Sequence, residues 1–154
     1  MKDLTPYTFF DSEKDILMHI ASLIRLSFAD EKKVVCEQSF INQIASSYAG
    51  LFGQKPFDLI VEESESVSVE DVLKWQERLK KHPLRARNLV KDMIALACAD
   101  GDYCDKERNM IEEDAERLSV NIEVVRAIEK ALVDYSVAKQ GLNSVITNGV
   151  PNEP

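Results

Sequence analysis

The sequence predicts an all-α domain of about seven helices, organised as a duplicated αα-hairpin. Three observations carry that reading. Apolar residues recur at steps of three and four through most of the 154 residues, the pattern of a helix with one buried face. The only alternating stretch, residues 66–69, is too short to make a strand. Shifted by 70 residues, the chain matches itself: Ile24, Leu26, Ala29, Asp30, Glu37, Ile41 and Ala45 fall on Ile94, Leu96, Ala99, Asp100, Glu107, Ile111 and Ala115. Apolar periodicity inflates such a match, but it does not set Asp on Asp and Glu on Glu.

Residues 12–29 place Ile16, Ile20, Leu23, Ile24 and Ser27 on one helix face, and Ser12 with Asp15 has capping-box spacing. A second helix is expected over 34–51 through Phe40, Ile41, Ile44, Ala45, Tyr48 and Leu51, with Gly53 as its stop. Pro56 interrupts the chain. Residues 57–61 then read as one short helical turn and 62–68 as a polar connector, ending in the Ser68–Asp71 start signal of the next helix. Val72, Trp75 and Leu79 carry that helix to Lys81, where Lys80 and Lys81 suit the negative end of the helix dipole.

Pro83 separates it from a helix over 84–99 with a wide apolar face of Leu89, Val90, Met93, Ile94, Leu96 and Ala97, broken at Asp100-Gly101. The sixth helix covers 105–118 through Met110, Ile111, Ala115 and Leu118. The last is expected over 122–138, capped by Asn121, with Ile122, Val125, Ile128, Leu132 and Tyr135 at core spacing. One domain is therefore expected over residues 1–140, with pseudo-repeats at about 12–53 and 84–120. Residues 141–154 read as a flexible C-terminal tail.

Composition narrows the function classes. The chain carries 19 Lys and Arg against 27 Asp and Glu, a formal charge of −8. Phosphate binding depends on clustered cations, so no nucleic-acid partner is expected; protein partners and metal ions are. No apolar run approaches the roughly 18–20 residues of a membrane span, and Met1-Lys2-Asp3 does not open a signal peptide, so the expected location is the cytoplasm. Cys36, Cys98 and Cys104 form no CxxC pair, which suits a reducing compartment. No nucleophile–base pair is visible, and no catalytic residue is assigned.

The stretch Ala99-Asp100-Gly101-Asp102-Tyr103-Cys104-Asp105-Lys106-Glu107 lies between two apolar helices. It resembles the Ala-Asp-Gly-x-apolar-Ser-x-x-Glu element of the TerB-like family, named for bacterial tellurite-resistance operons, and the resemblance runs over roughly 16–135. It implies a helical bundle built from a duplicated hairpin, a role in tellurite or stress responses, no established enzyme activity, and acidic residues of both repeats binding metal. On this chain those residues are Asp30 and Glu37 in the first repeat and Asp100, Asp102 and Glu107 in the second. Two positions depart from the pattern. Cys104 stands where a Ser or Thr cap is usual, and Glu31 stands where the first repeat would have its turn glycine.

The acidic bend is not an EF-hand: it lacks the glycine at the sixth position, and its Glu falls at the eighth rather than the twelfth. It reads in two ways. Asp side chains can bond backbone N–H groups of an interhelical turn while Glu107 favours the positive start of a helix. Alternatively, Asp30 and Asp100, each at an unfavourable helix C-terminus, are compensated by a hard cation such as Ca²⁺, Mg²⁺ or Mn²⁺, because the available ligands are oxygens. Cys104 among acids is expected to be a poor nucleophile. Cys98, in an Ile/Leu/Ala run, reads as a small core residue. His19 and His82 have no metal-pair spacing, and Trp75 reads as core. The function expected is a non-enzymatic TerB-like module of a tellurite-resistance or stress-response system that binds a divalent cation. The alternative is a protein–protein adaptor without a metal site.

Overall fold

The computed structural model describes residues 4, 9–29, 35–52, 55–99 and 101–151, and among them all regular structure is helical. Seven helices follow in order: α1 (Glu13–Ser27), α2 (Val35–Tyr48), α3 (Phe57–Glu65), α4 (Val69–Leu79), α5 (Pro83–Ala97), α6 (Asp105–Arg117) and α7 (Ile122–Asn148). Side-chain oxygens satisfy the orphan N–H groups at three helix starts. Ser12 Oγ accepts from the Asp15 N–H at 3.3 Å, Ser68 Oγ from the Asp71 N–H at 3.1 Å, and Asn121 Oδ1 from the Glu123 N–H at 2.9 Å. Pro83 occupies the first turn of α5, where no N–H donor is needed.

Two elements extend beyond what the sequence indicated. α3 is a nine-residue helix rather than a single turn, because Ser64 is buried and its hydroxyl donates to the carbonyls of Ile60 and Leu17. α7 runs to Asn148, ten residues past its expected end, and the helix continues through Gly141.

α1 is the hub of the bundle, packed against α2, α3, α4, α5 and α6; α5 in turn meets α1, α2, α4, α6 and α7. The first helices of the two repeats therefore form the central pair. Ile16, Ile20, Leu23 and Leu26 of α1 and Leu89, Met93, Ile94 and Leu96 of α5 are fully buried, each contributing about 1.5–3 kcal/mol of transfer free energy. The 70-residue offset survives in the packing: Leu26 and Leu96, Ile41 and Ile111, and Ala45 and Ala115 are all buried pairs. Ile24 breaks the equivalence, being only partly buried while Ile94 is enclosed.

α7 rests on the second hairpin through its first half, with Val125 buried and Val124, Ile128 and Leu132 partly so. From residue 133 to 148 every position is exposed.

Candidate functional site

The two interhelical bends carry the residues that the sequence singles out. In the second hairpin, α5 ends at Cys98, and Gly101 turns the chain with φ of +83°, a backbone conformation that favours glycine. A Cβ there would meet nothing within 4 Å, so the requirement lies in the backbone and not in crowding. Glu107 then reaches back: its Oε1 accepts from the Cys104 N–H at 3.2 Å, and the Cys104 sulfur faces the Glu107 N–H, closing a capping box with a weak sulfur acceptor. Desolvation, with the neighbouring Glu107 carboxylate, holds the Cys104 thiol above its ordinary pKa, which disfavours thiolate chemistry.

Tyr103 braces the same bend. The Arg108 guanidinium lies 4.8 Å from its ring centroid and 3.9 Å from Glu129 of α7. Burial, with the Glu129 charge, pushes the Tyr103 phenol up to about 12. Cys98, expected in the core, is instead exposed, because it falls at the C-terminal cap where α5 leaves the bundle.

Of the five carboxylates assigned to metal, Glu37 and Glu107 occupy matching places in the first turns of α2 and α6 and are 2% and 1% exposed. Asp102 is exposed on the bend. Asp30 and Asp100 lie outside the described residues. Among the described residues no three His, Cys, Asp or Glu side chains converge as a metal-binding group. A buried carboxylate needs partners, and the Cys104 N–H is one of those that Glu107 has.

Two further polar clusters were not legible in the sequence. Asp114 of α6 is fully buried; Arg25 Nη1 of α1 donates to both its oxygens at 3.0 Å, Arg117 Nη1 to Oδ1 at 2.7 Å, and Gln76 Nε2 of α4 to Oδ2 at 3.2 Å. Gln76 also donates to Ser22 and accepts from Arg117, so the network ties α1, α4 and α6 together.

Asp92 of α5 lies 2.8 Å from His19 Nε2 of α1 and accepts from the Tyr48 hydroxyl of α2 at 3.4 Å. Phe10 closes over that pair, 5.2 Å from the His19 ring and 4.6 Å from the Tyr48 ring. Burial raises the Asp92 pKa, but His19 and Lys91 outweigh it and hold the carboxyl below its ordinary range. Burial and the Asp92 charge push Tyr48 up to about 12. The available sequence signal was an acidic residue inside an otherwise apolar helical arc.

Trp75 is buried as expected, and its Nε1 donates to Asp15 at 3.3 Å. Where α4 meets α5, the basic side chains Lys80, Lys81, Arg85 and Arg87 are partly engaged: Arg85 makes two 2.6 Å hydrogen bonds to Asp11, and Lys80 pairs with Glu77. No helix is long and apolar enough to cross a membrane among the described residues.

The sequence profile of the family described as tellurite resistance protein TerB matches residues 16–130. The fold is similar to the crystal structure of a tellurite resistance protein from Nostoc punctiforme. The TM-score is 0.65 at 18% identity, over 94% of this chain and 85% of that one. No curated protein sequence matches. The profile match over three-quarters of its length makes this chain a member of the TerB tellurite-resistance family.

Proposed function

We propose that this chain is a non-enzymatic cytoplasmic TerB-type module that binds a divalent cation, Ca²⁺, Mg²⁺ or Mn²⁺, at its acidic bends and acts in tellurite or stress response. The observation that supports the reading is the pair Glu37 and Glu107: two buried carboxylates at the same register of two repeats, each seven residues after an Asp. A hard cation would take oxygens from Asp30 and Glu37 in one bend and from Asp100, Asp102 and Glu107 in the other. The second bend is the stronger site, with Gly101 at the turn and Asp102 and Asp105 nearby. Calorimetric titration with Ca²⁺, Mg²⁺ and Mn²⁺ tests it. A saturable isotherm in the wild type, lost on Asp100→Asn with Glu107→Gln, supports the proposal; silence at millimolar metal contradicts it.

A second reading is favoured by the capping box. Glu107 already accepts a backbone N–H, which gives its carboxylate a structural task without any cation. On that reading the bends are structural and the molecule is an adaptor that works through protein partners. The same titration separates the two, since the adaptor reading expects no metal-dependent heat.

A further inference from the structure

We propose that the second half of α7 is a self-association surface, on which two copies of this chain pair antiparallel through Tyr135, Leu142, Val145 and Ile146. The seam of α7 that packs on the body continues past the body. Val125, Ile128 and Leu132 are followed at steps of three and four by Tyr135, Lys139, Leu142 and Ile146, the spacing of one helix packed along another. The first three lie against the bundle. Tyr135, Leu142, Val145 and Ile146 are 67%, 60%, 50% and 73% exposed, and among the described residues nothing covers them.

The segment is also a poor helix by composition. Val133, Val137, Val145, Ile146 and Thr147 are β-branched, and Gly141 sits at its middle. A stretch of about this length is marginal as a helix in water on its own, and packing along a second helix would support it.

Charge selects which partner. Across residues 133–148 the charged side chains are Asp134 and Lys139, so the segment is neutral and the whole charge of −8 sits on the rest of the chain. A partner segment that is itself anionic is repelled by the body, and a cationic one is drawn to the body and not to this stripe. The same segment of a second copy is neutral and apolar, and matches it. Antiparallel pairing sends the two anionic bodies to opposite ends of a segment about 24 Å long, well beyond the roughly 8–10 Å screening length; parallel pairing would set them side by side. One face of a helix this long covers roughly 400–500 Å² per copy, roughly 1,000 Å² in total, which lies at the weak end of specific interfaces. The dimer is therefore weak and concentration-dependent.

Sedimentation equilibrium of the full chain from about 1 to about 500 µM tests this. The expected result is a rise from monomer mass toward dimer mass in the wild type, and at least a tenfold weaker association for Leu142→Asp with Ile146→Asp. Circular dichroism at the lowest concentration checks that the double variant keeps its fold, and Tyr135→Asp serves as a second variant acting on the same stripe. A wild type that stays monomeric throughout overturns the proposal, as does a dimer that survives both variants.

Discussion

The two hairpins share a register but not a chemistry. Most buried apolar residues repeat, as Leu26 and Leu96 or Ile41 and Ile111 do, whereas most of the buried polar groups do not. His19, Arg25 and Tyr48 belong to the first hairpin, and Leu89, Ala95 and Leu118 hold the corresponding places in the second. The second supplies the carboxylates Asp92 and Asp114, against Ser22 and Ile44 in the first. Donors on one repeat therefore meet acceptors on the other: His19 and Tyr48 with Asp92, Arg25 with Asp114. A duplicated core fixes how the halves pack, and the divergent polar residues make them complementary partners rather than interchangeable ones. Among the described residues, Glu37 and Glu107 are the buried polar pair that is the same in both.

The strongest way to break this complementarity is Asp114→Ala. It leaves Arg25, Arg117 and Gln76 facing a vacancy, and removing one member of a buried charged network costs about 3–5 kcal/mol; urea unfolding would register it. The apolar repeat is tested at four equivalent positions. Ile94→Ala, Ile111→Ala and Ile41→Ala are each expected to cost about 2–5 kcal/mol, and Ile24→Ala distinctly less because Ile24 is only partly buried. Equal losses at Ile24 and Ile94 would show that the halves are more symmetric than their packing indicates.

Asp92 sharpens the comparison through pH. Its folded-state pKa is lowered from 3.8, so between the folded and unfolded values the unfolded chain binds the extra proton. Its stabilisation is accordingly present above about pH 4–5 and is lost as pH falls through the folded value. Asp92→Asn should flatten the acid limb of a stability–pH profile measured by urea melts, while leaving the neutral-to-alkaline limb in shape. The smallest effect is expected from truncation after Gln140. Residues 141–148 are exposed on α7, so the melting temperature of the dilute protein should fall by no more than a few degrees; a large loss would mean that they pack on the core.

Sequence reading succeeded where local rules decide. Ser12, Ser68 and Asn121 cap as their spacing indicates, and the apolar arcs of α1, α5 and α6 form the core. It stopped short where tertiary contacts override composition. The Glu62-Glu63-Ser64-Glu65 run resembles a connector, yet Ser64 is drawn into the helix by burial against Leu17. The end of α7 carries Gly141 and several polar residues, which hid the three-and-four spacing of Leu142, Val145 and Ile146. The polar clusters escaped because Asp92 and Asp114 each find their partners on helices distant in sequence. Of the metal-assigned residues, the burial of Glu37 and Glu107 gives the repeat match a physical counterpart that periodicity alone did not.

The retained glutamates are where the functional account is most exposed to test, and Glu107→Gln isolates their charge because Gln at that position still supports a capping box. The decisive measurement is thermal unfolding of wild type, Glu37→Gln and Glu107→Gln with and without excess Ca²⁺, Mg²⁺ or Mn²⁺. Cation binding to the native state should raise the wild-type melting temperature; Glu107→Gln should remove most of that rise and Glu37→Gln less of it. A wild type indifferent to all three metals, together with a Glu107→Gln variant more stable than wild type in their absence, would contradict the cation account and leave the bends as tolerated repulsions.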